Sequence, residues 1–267
     1  MTLEIHQFLC RSDNFGVILR DAAKDVTASI DTPDEDAVRA ELHRLGLRLT
    51  HIFTTHHHHD HVAGHMGLKR ETGCIVLGAE KDRDRIPGID VTLKEGDVFE
   101  FGRFPVQVME TPGHTSGHLT FFIPHVEPLS LLDVSNRVGA AFVGDTLFSV
   151  GCGRIGESTP ETMWHSLQKI AGLPPETLIY CGHEYTQANV AFALTVEPGN
   201  HDLTARKLEV ETAIATGKPT LPVRLGSELK TNPFLRPHSN EIRAHLGMEN
   251  ATDVEVFTRL RGMKDRF

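Results

Sequence analysis

The sequence predicts an α+β chain in which a mixed body, residues 1–175, precedes a mostly helical region, residues 176–267. Two observations carry that reading. Up to about residue 175, short runs rich in β-branched and aromatic residues alternate with stretches whose apolar residues recur at helical spacing. Beyond Gly182 the periodic stretches are helical and are separated by loops containing proline or glycine.

LEIHQFL, FGVILRD and VTASIDT read as the first three strands. TPDEDAVRAELHRLGL follows as a helix, with Thr32 placed to cap it, Pro33 at its first position and Glu35 closing a capping box. Its Val38, Leu42 and Leu45 share one face. LTHIFTT reads as a strand that runs into a cluster of histidines, and HVAGHMGLKRETG as a short helix ended by Gly73. CIVLGA, FPVQVME, HLTFFI and AAFVGDTLF continue as strands, the last two joined by the long stretch PHVEPLSLLDVSNRVGAAF. TPETMWHSLQKIAGL returns to helix, capped by Ser158 or Thr159 with Pro160 in the first turn, and TLIYCGH is the last clear strand. TQANVAFALTV, HDLTARKLEVETAIATG, SNEIRAHLG and TDVEVFTRLRG read as the helices of the C-terminal region.

The formal net charge of -9 argues against a general nucleic-acid binder. No apolar run reaches the length of a membrane span, and the N-terminus shows no secretory pattern. The 4 cysteines form no C-x-x-C pair and read as reduced, buried thiols of a cytoplasmic protein. A monomer is expected.

The segment TTHHHHDHVAGH, residues 54–65, holds 6 histidines. As the end of a strand, it directs His56, His58 and Asp60 to one side and His57 and His59 to the other. His61 falls where the chain turns into a helix and presents a new face. Four donors so close in sequence cannot surround one ion, but they can supply two each to a pair of ions. Further donors are expected from loops at strand ends beside glycine: His114 in TPGHTSGH, Asp145 in FVGDTLF and His183 in YCGHEY. His56, His58 and His114 are then assigned to one metal and Asp60, His61 and His183 to the other, with Asp145 bridging through its two oxygens. Nitrogen and carboxylate donors without thiolate suit zinc, and also iron or manganese. The remaining histidines considered, His65 among them, are expected to play ordinary structural roles.

A metal pair of this kind lowers the pKa of bound water to about 7 and polarises a carbonyl, which favours hydrolysis of an ester, thioester, amide or phosphoester by a bridging hydroxide. Asp60 is expected both to hold its metal and to orient that nucleophile, the one catalytic role assigned here beyond metal binding.

T-H-x-H-x-D-H, followed by TPGHTSGH, a GD after one strand and a GH after another, resembles the metallo-β-lactamase superfamily. The resemblance implies a four-layer αββα sandwich with the two-metal site at one edge of its sheets. FVGDTLFSVGCGRIGE, LPPETLIYCGHEYTQANVAFALTVEPGN, TNPFLR and the terminal RLRGMKDRF are together similar to the glyoxalase II family, the hydroxyacylglutathione hydrolases. That similarity implies cleavage of S-D-lactoylglutathione to glutathione and D-lactate, the second step of methylglyoxal detoxification. It further implies that Arg154, Tyr185, Arg261 and Lys264 contact the glutathione moiety, whose two carboxylates call for cations. Three positions depart from the family pattern: Arg154 stands where many relatives carry lysine, Gly156 where they carry a tyrosine, and Gly262 where they often carry another basic residue. The competing expectations are a single-iron glutathione persulfide dioxygenase, another hydrolase of the same superfamily such as a lactonase or β-lactamase, and a metal-storage or sensor protein.

Overall fold

The computed structural model describes residues 2–126 and 138–267. Residues 127–137, within the long stretch before AAFVGDTLF, lie outside the described part. The backbone divides into two compact units: Met1–Glu110 with Thr115–Gly144, and Thr111–His114 with Asp145–Phe267. This division falls at Gly144, whereas the change to mostly helical structure comes later, after the strand that ends at Cys181.

The first unit begins with β1 (Glu4–Cys10), β2 (Asn14–Asp21) and β3 (Val26–Ile30), paired antiparallel. Helix α1 (Glu35–Leu45) leads to β4 (His51–Phe53), and α2 (His59–Val62) and α3 (His65–Thr72) lead to β5 (Ile75–Ala79) and β6 (Val91–Leu93). From β3 to β6 the strands run parallel, because a helix or long connection returns the chain to the same end each time. Strands β7 (Val98–Phe101), β8 (Phe104–Glu110), β9 (Leu119–Val126) and β10 (Val138–Gly144) form an antiparallel set. Along β8 the buried Phe104, Val106 and Val108 alternate with exposed Pro105 and Gln107, as one core-facing surface requires. Phe53 of β4 meets Phe99, Phe101 and Phe121 with ring centroids 5.1, 5.4 and 5.5 Å away, so the two sheets face each other across an aromatic core. On the other side of the first sheet, Val38 and Leu42 of α1 and Leu68 of α3 cover Ile18, Ile52 and Val76. The unit is therefore layered helix, sheet, sheet.

The second unit holds a short ribbon, β11 (Leu147–Phe148) and β12 (Gly151–Cys152), then α4 (Pro160–Ala171), β13 (Leu178–Cys181), α5 (Thr186–Val196) and α6 (His201–Ala215). Strand β14 (Val223–Arg224) pairs antiparallel with β13 and is followed by α7 (Leu225–Thr231), α8 (Asn240–Leu246) and α9 (Asp253–Lys264). Its aromatic core joins Trp164 of α4 to Phe257 of α9 at 5.9 Å, and Phe257 through Phe234 to Phe192 of α5.

Two local expectations change, and some short elements are not foreseen in the sequence. The first helix is capped by Asp34, whose Oδ1 accepts from Ala37 N at 2.9 Å; no Thr32 capping box forms, because the buried Thr32 hydroxyl is engaged by His65 Nδ1 at 2.6 Å. A tertiary hydrogen bond outcompetes the local one. Strand LTHIFTT is regular only over β4, so Asp60 takes its place from the first turn of α2 and not from strand alternation. Strands β6, β7 and β14, of two to four residues, leave no periodic signal in the sequence, and helix α7 is not read from it.

Candidate metal centre

The donors of the first unit lie beyond the C-terminal end of β4. His56 is fully buried, and its Nε2 lies 3.2 Å from His58 Nδ1. Two nitrogens bound at about 2.0–2.1 Å to one tetrahedral zinc sit about 3.3 Å apart, so this pair has the separation a shared ion demands. His61, also buried, turns Nδ1 to Asp31 Oδ2 at 2.8 Å and Nε2 towards Asp60 Oδ2 at 3.7 Å. Asp60 is steadied by the buried Asn14, whose Nδ2 reaches its Oδ2 at 3.1 Å and its carbonyl at 3.2 Å. Asp60 keeps 36% of its side chain exposed, which leaves this donor accessible to water.

The donors of the second unit are His114, Asp145 and His183. Asp145 follows β10 directly, and its Oδ2 lies 3.5 Å from His114 Nε2 and 3.3 Å from His183 Nε2. Both approaches use the same oxygen, Oδ2, and not one oxygen each as expected from the sequence. His114 Nδ1 lies 3.0 Å from the Arg154 carbonyl, to which it must donate, and this places the ring's lone pair on Nε2. His183 follows β13 and stacks on Tyr185 with centroids 4.8 Å apart and planes 4° apart. Phe148 meets both rings edge-on. A Cβ on Gly153 would stand 1.9 Å from the Asp145 carbonyl oxygen, so the turn that carries Asp145 closes only over glycine.

Other histidines have different partners. His57 Nδ1 meets the buried Asp82 at 2.9 Å, and His59 is exposed. His65 is held between the Thr32 and Thr54 hydroxyls at 2.6 and 2.8 Å, and burial depresses its pKa to about 3, so it stays neutral. Three residues were not picked out from the sequence: Asp31, Asn14 and His118. His118 is buried and stacks on His56 at 4.9 Å; its one sequence signal is its place four residues after His114 in TPGHTSGH.

The expected glutathione contacts differ in setting. Arg154 is exposed. Tyr185 is 39% exposed. Lys264 is half-buried, its Nζ bonding the Ala188 carbonyl at 3.0 Å over the rings of Phe192 and Phe267; burial, then nearby Arg261, lowers its pKa. Arg261 is buried, with Nη1 donating to the Cys152 carbonyl at 2.7 Å, Nη2 paired with Asp265 at 3.1 Å and its guanidinium over Phe234. At Gly156 a Cβ would lie 2.7 Å from the His114 carbonyl oxygen, so this backbone has no room for the tyrosine of the family pattern.

The family model of the metallo-beta-lactamase superfamily matches residues 30–183, and that of the hydroxyacylglutathione hydrolase C-terminus matches residues 184–267. The hydroxyacylglutathione hydrolase of Chelativorans sp. (strain BNC1) is 47% identical over 267 residues, 100% of each chain. The chain belongs to the hydroxyacylglutathione hydrolase family. It shares the α+β metallo-β-lactamase fold with ETHE1 from Myxococcus xanthus, at a TM-score of 0.64 and 22% identity over 97% of this chain and 96% of that one. TTHA1623 in a di-iron-bound form aligns at a TM-score of 0.57 and 23% identity, over 85% of this chain and 98% of that one. Members of the hydroxyacylglutathione hydrolase family are metal-dependent hydrolases, and imidazole and carboxylate donors of the kind found here suit divalent ions.

Proposed function

We propose that this hydroxyacylglutathione hydrolase cleaves the thioester of S-D-lactoylglutathione, and of related 2-hydroxyacylglutathiones, to glutathione and D-lactate. This is the second step of methylglyoxal detoxification, carried out by a cytoplasmic monomer. The observation that carries the reading is the end-to-end 47% identity to a hydroxyacylglutathione hydrolase. His56, His58 and His114 would hold one ion, Asp60, His61 and His183 the second, and Asp145 both. Zinc fits these donors best, with iron or manganese as alternatives; iron has a parallel in the di-iron form of TTHA1623.

When bound, the ions supply an activated water and an electrophilic pull on the thioester carbonyl. Asp60, anchored by Asn14, orients that water towards the carbonyl carbon. The departing group is a thiolate with a conjugate acid near pKa 8.5, so it needs no general acid to leave. Arg154, Tyr185, Arg261 and Lys264 contact the glutathione moiety, the cations meeting its carboxylates.

Substrate choice tests this reading. Wild-type protein should turn over S-D-lactoylglutathione and leave lactones and β-lactams untouched. Steady turnover of either of those without the thioester, or oxygen consumption on glutathione persulfide, would contradict it.

A further inference from the structure

The β11–β12 ribbon of the second unit turns on a residue that cannot hold the turn by itself. Its two-residue loop is Ser149–Val150, and Val150 is buried with a left-handed φ of 55°. A turn with that geometry at its second loop residue calls for glycine or asparagine, because a β-branched side chain crowds its own backbone there. Tertiary contacts must supply what local preference withholds. They come from α7 and the residue that follows it. Glu228 is fully buried; its Oε2 accepts from Val150 N at 2.8 Å and its Oε1 from the Ser149 hydroxyl at 3.2 Å. The Ser149 oxygen accepts in turn from Arg206 Nη2 at 3.2 Å, so its one proton goes to Glu228. Asn232, also buried and one helical turn beyond Glu228, directs Nδ2 to the Phe148 and Gly151 carbonyls at 3.2 and 2.9 Å and to Glu228 Oε2 at 2.9 Å.

The ribbon held in this way touches the residues expected at the glutathione moiety. Phe148 meets the Tyr185 ring at 5.2 Å, and the Cys152 carbonyl accepts from Arg261 Nη1 at 2.7 Å. Two residues after Cys152 comes Arg154. We propose that Glu228, with Asn232, is a positioning residue for substrate binding: it holds the left-handed Ser149–Val150 turn and so keeps Tyr185, Arg261 and Arg154 in place for the glutathione moiety. The inference rests on the reading of those three as glutathione contacts.

The test is steady-state kinetics on S-D-lactoylglutathione with zinc-restored protein, alongside metal content and thermal unfolding. Glu228→Met has a side chain of similar length but leaves the Val150 N–H and the Ser149 hydroxyl without their acceptor. It should raise KM about 10-fold, with kcat changed less than about twofold and the metal content of the wild type retained. Glu228→Gln still offers an oxygen to Val150 and should return KM to within about threefold of the wild type. Adding Val150→Gly to Glu228→Met removes the backbone strain that the glutamate opposes, and should likewise recover most of KM. A glutamate that serves stability alone predicts a lower melting temperature for Glu228→Met at unchanged KM, and that result would overturn the proposal. So would a fall in kcat accompanied by loss of metal. If Glu228→Met does not fold, Ser149→Ala, which deletes only the hydroxyl, should show the same split with KM raised roughly threefold, and a wild-type KM there would overturn the proposal. An unchanged KM in Arg154→Ala would instead overturn the contact reading on which the proposal rests.

Discussion

Asp145 lies close to two histidines through one oxygen, so its removal acts on both at once. Asp145→Ala is expected to leave fewer than two ions per chain by elemental analysis and to reduce turnover by at least 100-fold, a few kcal/mol of transition-state stabilisation. Two bound ions at the normal rate would remove Asp145 from the site. The two terminal cations should separate cleanly. Lys264→Ala is expected to raise KM for the glutathione thioester roughly 10-fold with kcat little changed, the worth of one partly exposed charged hydrogen bond. Arg261→Ala should lower stability as well, by roughly 1–3 kcal/mol, because it strips a buried carbonyl of its donor and uncovers the Phe234 ring. Equal melting temperatures for the two variants would contradict that distinction.

At the scale of elements, the β7–β8 hairpin shows how a turn can carry electrostatics. Its two-residue loop is Gly102–Arg103, and Gly102 has φ 62°, the first-position geometry of a type II′ turn. A Cβ there would also meet Asp21 Oδ2 at 2.5 Å, so Gly102→Ala should destabilise by about 1–3 kcal/mol. The turn brings Arg103 onto the buried Asp21 of β2, with Nη2 to Oδ1 at 2.6 Å and Nε to Oδ2 at 2.9 Å. The hydrogen bond from Arg103, opposed by burial and helped by the backbone amide of Ala23, holds the Asp21 pKa below the usual carboxylate value. A depressed folded-state pKa means stability that is present above the unfolded value, about 3.9, and lost as pH falls through the folded one. Metal-free Arg103→Ala should therefore melt below the wild type at pH 7 by an amount that shrinks below pH 3. A gap that widens in acid would contradict the assignment.

Across the whole molecule, most of the architecture was legible because regular periodicity announces regular elements. Most strands of the first unit, β6 and β7 excepted, and the long helices of the second fall where β-branched runs and helical spacing place them. What escaped was set by tertiary contact. Thr32 is drawn from a cap to His65, and the isolated residues Asp31 and Asn14 carry no motif, although each braces a candidate donor. The candidate donors stood out because histidine is conspicuous and each lies near the end of a predicted strand. The role of Arg261 could not be read so directly, since a terminal arginine looks the same in sequence whether it faces solvent or, as here, the Cys152 carbonyl.

The central claim is that a metal pair cleaves a glutathione thioester on this chain. The measurement that bears on it most directly follows the absorbance of S-D-lactoylglutathione with as-isolated, chelator-treated and zinc-restored protein, with metal content determined on each sample. The account predicts turnover with two ions per chain, its loss when they are stripped, and its return with zinc. Turnover that survives complete removal of metal, or its absence in protein carrying two ions, would contradict it.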